Sequence, residues 1–123
     1  MAKKKILVVD DETSITKLLK FILEKSGLYE IESENVGLKA LEKVRVMRPD
    51  LLLLDVNLPD MSGGEIASAI KADPSLQKLP IIFLTGDVTN EEVEGGLKIA
   101  GHPALAKPIN VEALLSCIEK SLK

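Results

Sequence analysis

The sequence predicts an α/β protein: a five-stranded parallel sheet with helices packed on both faces. Three observations predict it. The short, uninterrupted apolar runs Ile6-Leu7-Val8-Val9, Leu51-Leu52-Leu53-Leu54 and Ile81-Ile82-Phe83-Leu84 suit strands buried on both sides. Stripes of helical spacing lie between them. Strand and helix alternate five times in 123 residues, with no repeat, linker or low-complexity tract. A chain of that length holds one core.

The elements follow in order. Lys3-Lys4-Lys5 is the solvated lead into the first strand. Ile15, Leu18, Leu19 and Ile22 then recur at i, i+3, i+4 and i+7, and Gly27 stops the helix they define. Tyr29-Glu30-Ile31-Glu32 alternates apolar and polar residues, so the second strand has a wet side and belongs at a sheet edge. Leu38, Leu41 and Val44 form a second helical stripe, ended ahead of Pro49. The run 51–54 is the most central strand. Ser62-Gly63-Gly64-Glu65 and Thr89-Asn90-Glu91-Glu92 fit the S/T-x-x-E capping box and open the third and fourth helices. Gly95 and Gly96 fall inside the fourth, each costing about 1 kcal/mol relative to Ala. That helix is therefore expected to be short, frayed or mobile, unless the glycines serve close packing or a kink. Ala104-Leu105-Ala106 is a weak fifth strand. Asn110 caps a last helix bearing Val111, Leu114, Leu115 and Ile118.

Composition excludes several functions. A net charge of −3 offers no general attraction to nucleic acid, and two Phe, one Tyr and no Trp make no base-stacking platform. No apolar stretch approaches the roughly 18 residues of a membrane span. The basic start Met1-Ala2-Lys3-Lys4-Lys5 meets only four apolar residues and then two aspartates, too short and acidic for an export signal. One cysteine, Cys117, excludes an internal disulfide and a thiolate zinc cage, and it is read as a packing residue. His102, before the last strand, is read as a surface residue without a role. The expectation is a cytoplasmic, single-domain protein.

In an open parallel sheet, ligands sit beyond the carboxyl ends of the strands. Those positions hold Asp10 and Asp11, Asp55, Thr85 and Lys107, while Ser33 and Glu34 after the second strand lie too near the edge to matter. Three clustered carboxylates repel one another unless a cation neutralises them, and all-oxygen donors suit Mg²⁺ better than zinc. A carboxylate beside such an ion can attack a phosphoryl group, with an ammonium and a hydroxyl steadying its oxygens. Asp55, from the most central run, is the best nucleophile. Taken singly, Asp10 and Asp11 would also serve as helix caps, Lys107 as a solvated surface group and Thr85 as an ordinary strand residue. Their registry at matching strand ends argues for the site. Lys107-Pro108 can also adopt the cis form that aims a side chain inward.

These residues resemble the response-regulator receiver domains of two-component signalling. The likeness rests on Ile6 to Glu12, Pro49 to Gly63, Leu84-Thr85-Gly86 and Lys107-Pro108, and it covers essentially the whole chain. It implies strand order 2-1-3-4-5 and a phosphoryl group taken onto Asp55 from a phosphohistidine on a sensor histidine kinase or phosphotransfer protein. It further implies Mg²⁺ bound by Asp11, Asp55 and the backbone carbonyl of Asn57, with Asp10 helping through water. Lys107 would hold one phosphoryl oxygen and Thr85 another. Asn57 and Asp87 fall where relatives vary their dephosphorylation rate. Such a domain catalyses its own phosphorylation and slow dephosphorylation but is no enzyme towards other substrates, and it signals by docking on a target protein. The last stripe ends within a few residues of Lys123, so the expectation is one receiver domain over 1–123, with no output domain, no direct nucleic-acid contact and no membrane contact.

Three positions depart from the pattern. Ala104 stands where relatives have a switch aromatic, Ile109 where they often have Phe, and Gly86 where Ala is common. With no ring to bury, the segment 86–101 is expected to report phosphorylation by changing its order. Two competing readings remain. One is a pseudo-receiver that is never phosphorylated, supported by Ala104 alone. The other is an aspartyl-phosphate hydrolase of the haloacid dehalogenase type, weakened because Asn57 replaces its general acid and its acidic pair comes first in this chain.

Overall fold

The computed structural model describes residues 3–123; Met1 and Ala2, the start of the basic stretch, lie outside them. The elements are β1 (Lys4–Val9), α1 (Thr13–Lys25), β2 (Tyr29–Glu34), α2 (Gly37–Met47), β3 (Leu51–Asp55) and α3 (Gly63–Ala72). They continue with β4 (Ile81–Thr85), α4 (Asn90–Glu94), β5 (Lys98–Ile99), β6 (His102–Ala106) and α5 (Val111–Ser121). The sheet order is β2-β1-β3-β4-β6-β5. Its five longer strands are parallel, in the order the resemblance implies. A two-residue antiparallel strand is added, with Lys98 opposite Pro103 and Ile99 opposite His102. This β5 covers the far edge of the sheet, where an open strand would invite pairing with another chain.

Every residue of β3 and β4 is buried, as uninterrupted apolar runs require. β2 lies at the other edge, with Tyr29 and Ile31 buried and Glu30 and Glu32 exposed. Side chains alternate between two cores. Leu7, Val9, Leu52, Leu54 and Phe83 face α2 and α3, while Ile6, Val8, Leu53, Ile82 and Leu84 face α1 and α5.

Helix faces are rotated from the expected stripes. α1 buries Thr16, Leu19 and Leu23, leaving Leu18 47% exposed. In α2 the buried residues are Gly37, Ala40 and Val44, and Leu38 is 69% exposed. The apolar arc of each helix is wider than its footprint on the sheet, so counting apolar residues alone misplaces the seam. Both capping boxes form. The fourth helix corrects the sequence reading. It ends at Glu94, so Gly95 is its C-cap and Gly96, at φ +89°, leaves in the left-handed region. The glycines terminate the helix rather than weaken its interior. His102 is also corrected: it is buried, its ring edge-on to Phe83 with centroids 5.8 Å apart. Cys117 is half-buried against the α1–α5 core, as expected.

α3 starts hard against the end of β3. A Cβ at Gly63 would run into the carbonyl oxygen of Asp55 and come 3.0 Å from Val56 Cα. Both are backbone atoms that cannot swing away. Gly64 is free by comparison, its nearest neighbour being Ser62 Oγ at 3.8 Å. Gly63→Ala should therefore cost about 1–3 kcal/mol of stability in urea denaturation, whereas Gly64→Ala should cost nothing or stabilise slightly.

Candidate functional site

β1, β3, β4 and β6 end at one rim, and register sets their heights. Val9 lies opposite Leu54, Asp55 opposite Leu84, and Thr85 opposite Ala106. Asp10, Asp55, Thr85 and Lys107 therefore leave neighbouring strands side by side. One carboxylate oxygen from each of Asp10, Asp11 and Asp55 lies within 4.8 Å of the others.

Asp10 is fully buried. Its Oδ1 accepts the Glu12 N–H at 2.9 Å, and its Oδ2 faces Lys107 Nζ at 2.7 Å. The N-cap of α1 is Glu12, which makes no side-chain cap bond, so neither aspartate is spent on capping that helix. Asp55 is 4% exposed. The Asn57 N–H donates to its Oδ1 at 3.2 Å, and Lys107 Nζ stands 3.4 Å from its Oδ2. Lys107 is no surface lysine: its side chain is 15% exposed and also lies 3.5 Å from Glu12 Oε1. The Lys107–Pro108 bond is cis. Thr85 is buried, and its hydroxyl accepts the Asp87 N–H at 3.1 Å. Asn57 lies exposed outside the carboxylate cluster, its side chain donating to Asp87 Oδ2 at 2.9 Å. This bond ties the loop after β3 to the loop after β4.

Burial pushes the Asp55 carboxyl up from 3.8 to about 6; the Asn57 N–H opposes this, the Asp10 charge adds to it, and Lys107 opposes it. Burial also pulls the Lys107 ammonium down, but its contacts with Asp10 and Asp55 outweigh that and hold it above its ordinary range.

Two contributors were missed in the sequence. Asn35, just past β2, donates from Nδ2 to the Asp10 carbonyl at 2.8 Å and to Thr16 Oγ1 at 3.2 Å. The end of β2 was set aside as too near the edge, yet it props the Asp10 turn. Asp60 accepts the Gly37 and Leu38 N–H groups at 3.2 and 2.8 Å, pinning the β3–α3 loop to the start of α2. Those hydrogen bonds, Leu38 foremost, hold its carboxyl below the usual range. Neither side chain has a local motif, because both act across 19 or more residues.

A sequence model of the response regulator receiver domain matches residues 6–119. The chain belongs to that family. This receiver domain is 33% identical over 119 residues to the polar-differentiation response regulator DivK of Brucella anthropi, covering 97% of this chain and 96% of that one. It is 39% identical over 109 residues to the alkaline phosphatase synthesis transcriptional regulatory protein PhoP of Bacillus subtilis, over 87% of this chain but 43% of that protein. The chain thus spans less than half of PhoP and nearly all of DivK. Among solved structures it resembles the chemotaxis protein CheY4 of Vibrio cholerae, with TM-score 0.84, 34% identity and coverage of 98% and 100%. A CheY-like receiver domain from Methanospirillum hungatei gives TM-score 0.78 at 36% identity, over 98% and 94%.

The raised pKa of Asp55 has a consequence for stability. Between pH 3.8 and about 6 the folded receiver domain binds more protons than the unfolded chain. Stability of the metal-free protein therefore falls as pH rises through that window, and the loss is complete above it. Asp55→Asn carries no such penalty. In chelator at pH 7 it should be more stable than wild type by about 1–3 kcal/mol. Denaturation curves should show the gap closing below pH 3.8.

Proposed function

We propose that this receiver domain, acting as one unit over 1–123 in the cytoplasm, is a phosphorylation-dependent switch whose phosphoacceptor is Asp55. The observation that carries the reading is a buried carboxylate, Asp55, held 3.4 Å from the half-buried Lys107 ammonium and within reach of two further carboxylates. The Asp55 carboxylate attacks the phosphorus of a phosphohistidine on a sensor histidine kinase or a phosphotransfer protein. An O–P bond forms, the P–N bond breaks, and the imidazole keeps the electron pair and takes a proton from solvent. Lys107 then neutralises a phosphoryl oxygen, and the Thr85 hydroxyl donates to another while still accepting from Asp87. Asn57 can neither give nor take a proton, so hydrolysis of the phosphoaspartate is slow. The domain catalyses its own loading and unloading and no further reaction.

The site fits Mg²⁺. Three carboxylates offer it oxygen donors, and Asp10 Oδ2, fully buried, has the Lys107 ammonium at 2.7 Å as its one partner among the described residues, so the cluster carries more negative than positive charge. Asp11, Asp55 and the Asn57 carbonyl would hold the ion, with Asp10 supporting it through water. When bound, the ion supplies positive charge for the transferred oxygens.

Output passes to a downstream protein partner. Among the described residues no helix is long and apolar enough to cross a membrane, and the net charge of −3 gives no pull towards nucleic acid. Ala104 carries no ring to bury, so the change at Thr85 is taken up by the segment 86–101, whose helix has five residues, none of them buried.

Incubation with a small phosphodonor and Mg²⁺ should add one stable phosphoryl group to wild type and none to Asp55→Asn. Continuous phosphate release would instead indicate a hydrolase, and no reaction a pseudo-receiver. Asp11→Ala should weaken Mg²⁺ binding by roughly tenfold or more, and Asp10→Ala by less; equal affinity in wild type and Asp11→Ala would remove Asp11 from the ligands.

Hydrogen exchange with and without beryllofluoride should differ mainly over 86–101. Gly95→Ala should shrink that difference, because a Cβ there meets only ordinary contacts at 3.4 and 3.5 Å. Gly96 is unsuited to this test, since its positive φ strains any side chain.

A further inference from the structure

Of the three carboxylates at the rim, Asp11 has the least support. The Asp10 side chain is fastened by Glu12 and Lys107, and that of Asp55 by Asn57 and Lys107. Asp11 is exposed, and among the described residues its carboxylate makes no hydrogen bond or ion pair. Its place is set by the backbone that carries it.

 

That backbone is gripped one residue earlier, from the end of β2. The Asp10 N–H donates to the Glu34 carbonyl at 3.1 Å. The Asp10 carbonyl accepts Asn35 Nδ2 at 2.8 Å, and the same nitrogen donates to Thr16 Oγ1 at 3.2 Å. Thr16 is buried, and its hydroxyl donates in turn to the Thr13 carbonyl at 3.1 Å, in the first turn of α1. A terminal amide suits this task, since one nitrogen carries two N–H groups that serve two acceptors at once. Asn35 thus holds both ends of the bend between β1 and α1. The peptide group is planar, so fixing the Asp10 carbonyl oxygen fixes the whole Asp10–Asp11 peptide. With it goes the Cα from which the Asp11 carboxylate projects.

We infer that Asn35 is a positioning residue for the metal site: it fixes the Asp10–Asp11 peptide so that the Asp11 carboxylate stays with those of Asp10 and Asp55. The inference rests on Asp11 being a Mg²⁺ ligand, as proposed above. Asn35 is not itself a ligand and acts through Asp11. Without its amide, Asp11 would still be present but free to swing out from the rim, and the ion would have to order it on binding. The cost falls on Mg²⁺ affinity and not on the chemistry that follows once the ion is bound.

Calorimetric titration with Mg²⁺ alone tests this without any phosphoryl chemistry, on variants shown by circular dichroism to be folded. Asn35→Ala should raise the Mg²⁺ dissociation constant roughly tenfold. Asn35→Ser, one bond shorter and still polar, should show the same loss, and it serves where Asn35→Ala does not fold. Thr16→Val removes the α1 end of the bridge but leaves the bond to the Asp10 carbonyl, so it should lose stability in urea and keep its Mg²⁺ affinity. With a small phosphodonor, the Asn35→Ala rate should fall at limiting Mg²⁺ and recover to that of wild type when the ion saturates. A rate lowered equally at every Mg²⁺ concentration would mark a general loosening of the fold and overturn the inference. So would an affinity loss in Thr16→Val as large as that in Asn35→Ala. Unchanged affinity in Asn35→Ala beside a loss in Asp11→Ala would overturn it too, while leaving the Mg²⁺ reading in place. Equal affinity in wild type and Asp11→Ala would overturn both.

Discussion

The contact between Lys107 and Asp10 is the interaction on which the site depends. A fully buried carboxylate is costly unless a charge of opposite sign stands beside it, and Lys107 Nζ does so at 2.7 Å. The same ammonium lies 3.4 Å from Asp55. One cation thus serves two carboxylates that would otherwise repel each other, and burial still leaves Asp55 with a pKa of about 6. The cluster, with three carboxylates and one ammonium, is short of positive charge as it stands.

The scaffold keeps that contact in place from several directions. Strand register brings the carboxylates and the lysine to one height. Asn35 props the backbone of Asp10, and Asp60 ties the loop after Asp55 to α2. Gly63 lets α3 begin directly against the Asp55 carbonyl, closing the rim from below. On the opposite side the support thins. α4 has five residues and no buried side chain, and the chain turns through Gly96 and Gly101 before reaching β6. Support is thus dense on the acidic side and sparse beyond Thr85.

Much of this was legible in the sequence. Unbroken apolar runs marked the buried strands, capping boxes marked the starts of α3 and α4, and the strand-end rule picked out Asp10, Asp11, Asp55, Thr85 and Lys107, which the structure brings together. These signals are local or repeat along the chain, and burial on both faces demands them wherever a parallel sheet forms.

What the tertiary structure alone decided is of a different kind. It set which arc of α1 and α2 meets the sheet, because that depends on the neighbouring helices and not on the helix's own periodicity. It turned Gly95 and Gly96 from an interior weakness into a helix end, and it buried His102 against Phe83. It also recruited Asn35 and Asp60, whose partners lie 19 or more residues away. By itself the sequence determined the strands, their ends and the acidic rim, since those follow from local chemistry; the pairings across the fold depend on distances that no local pattern encodes.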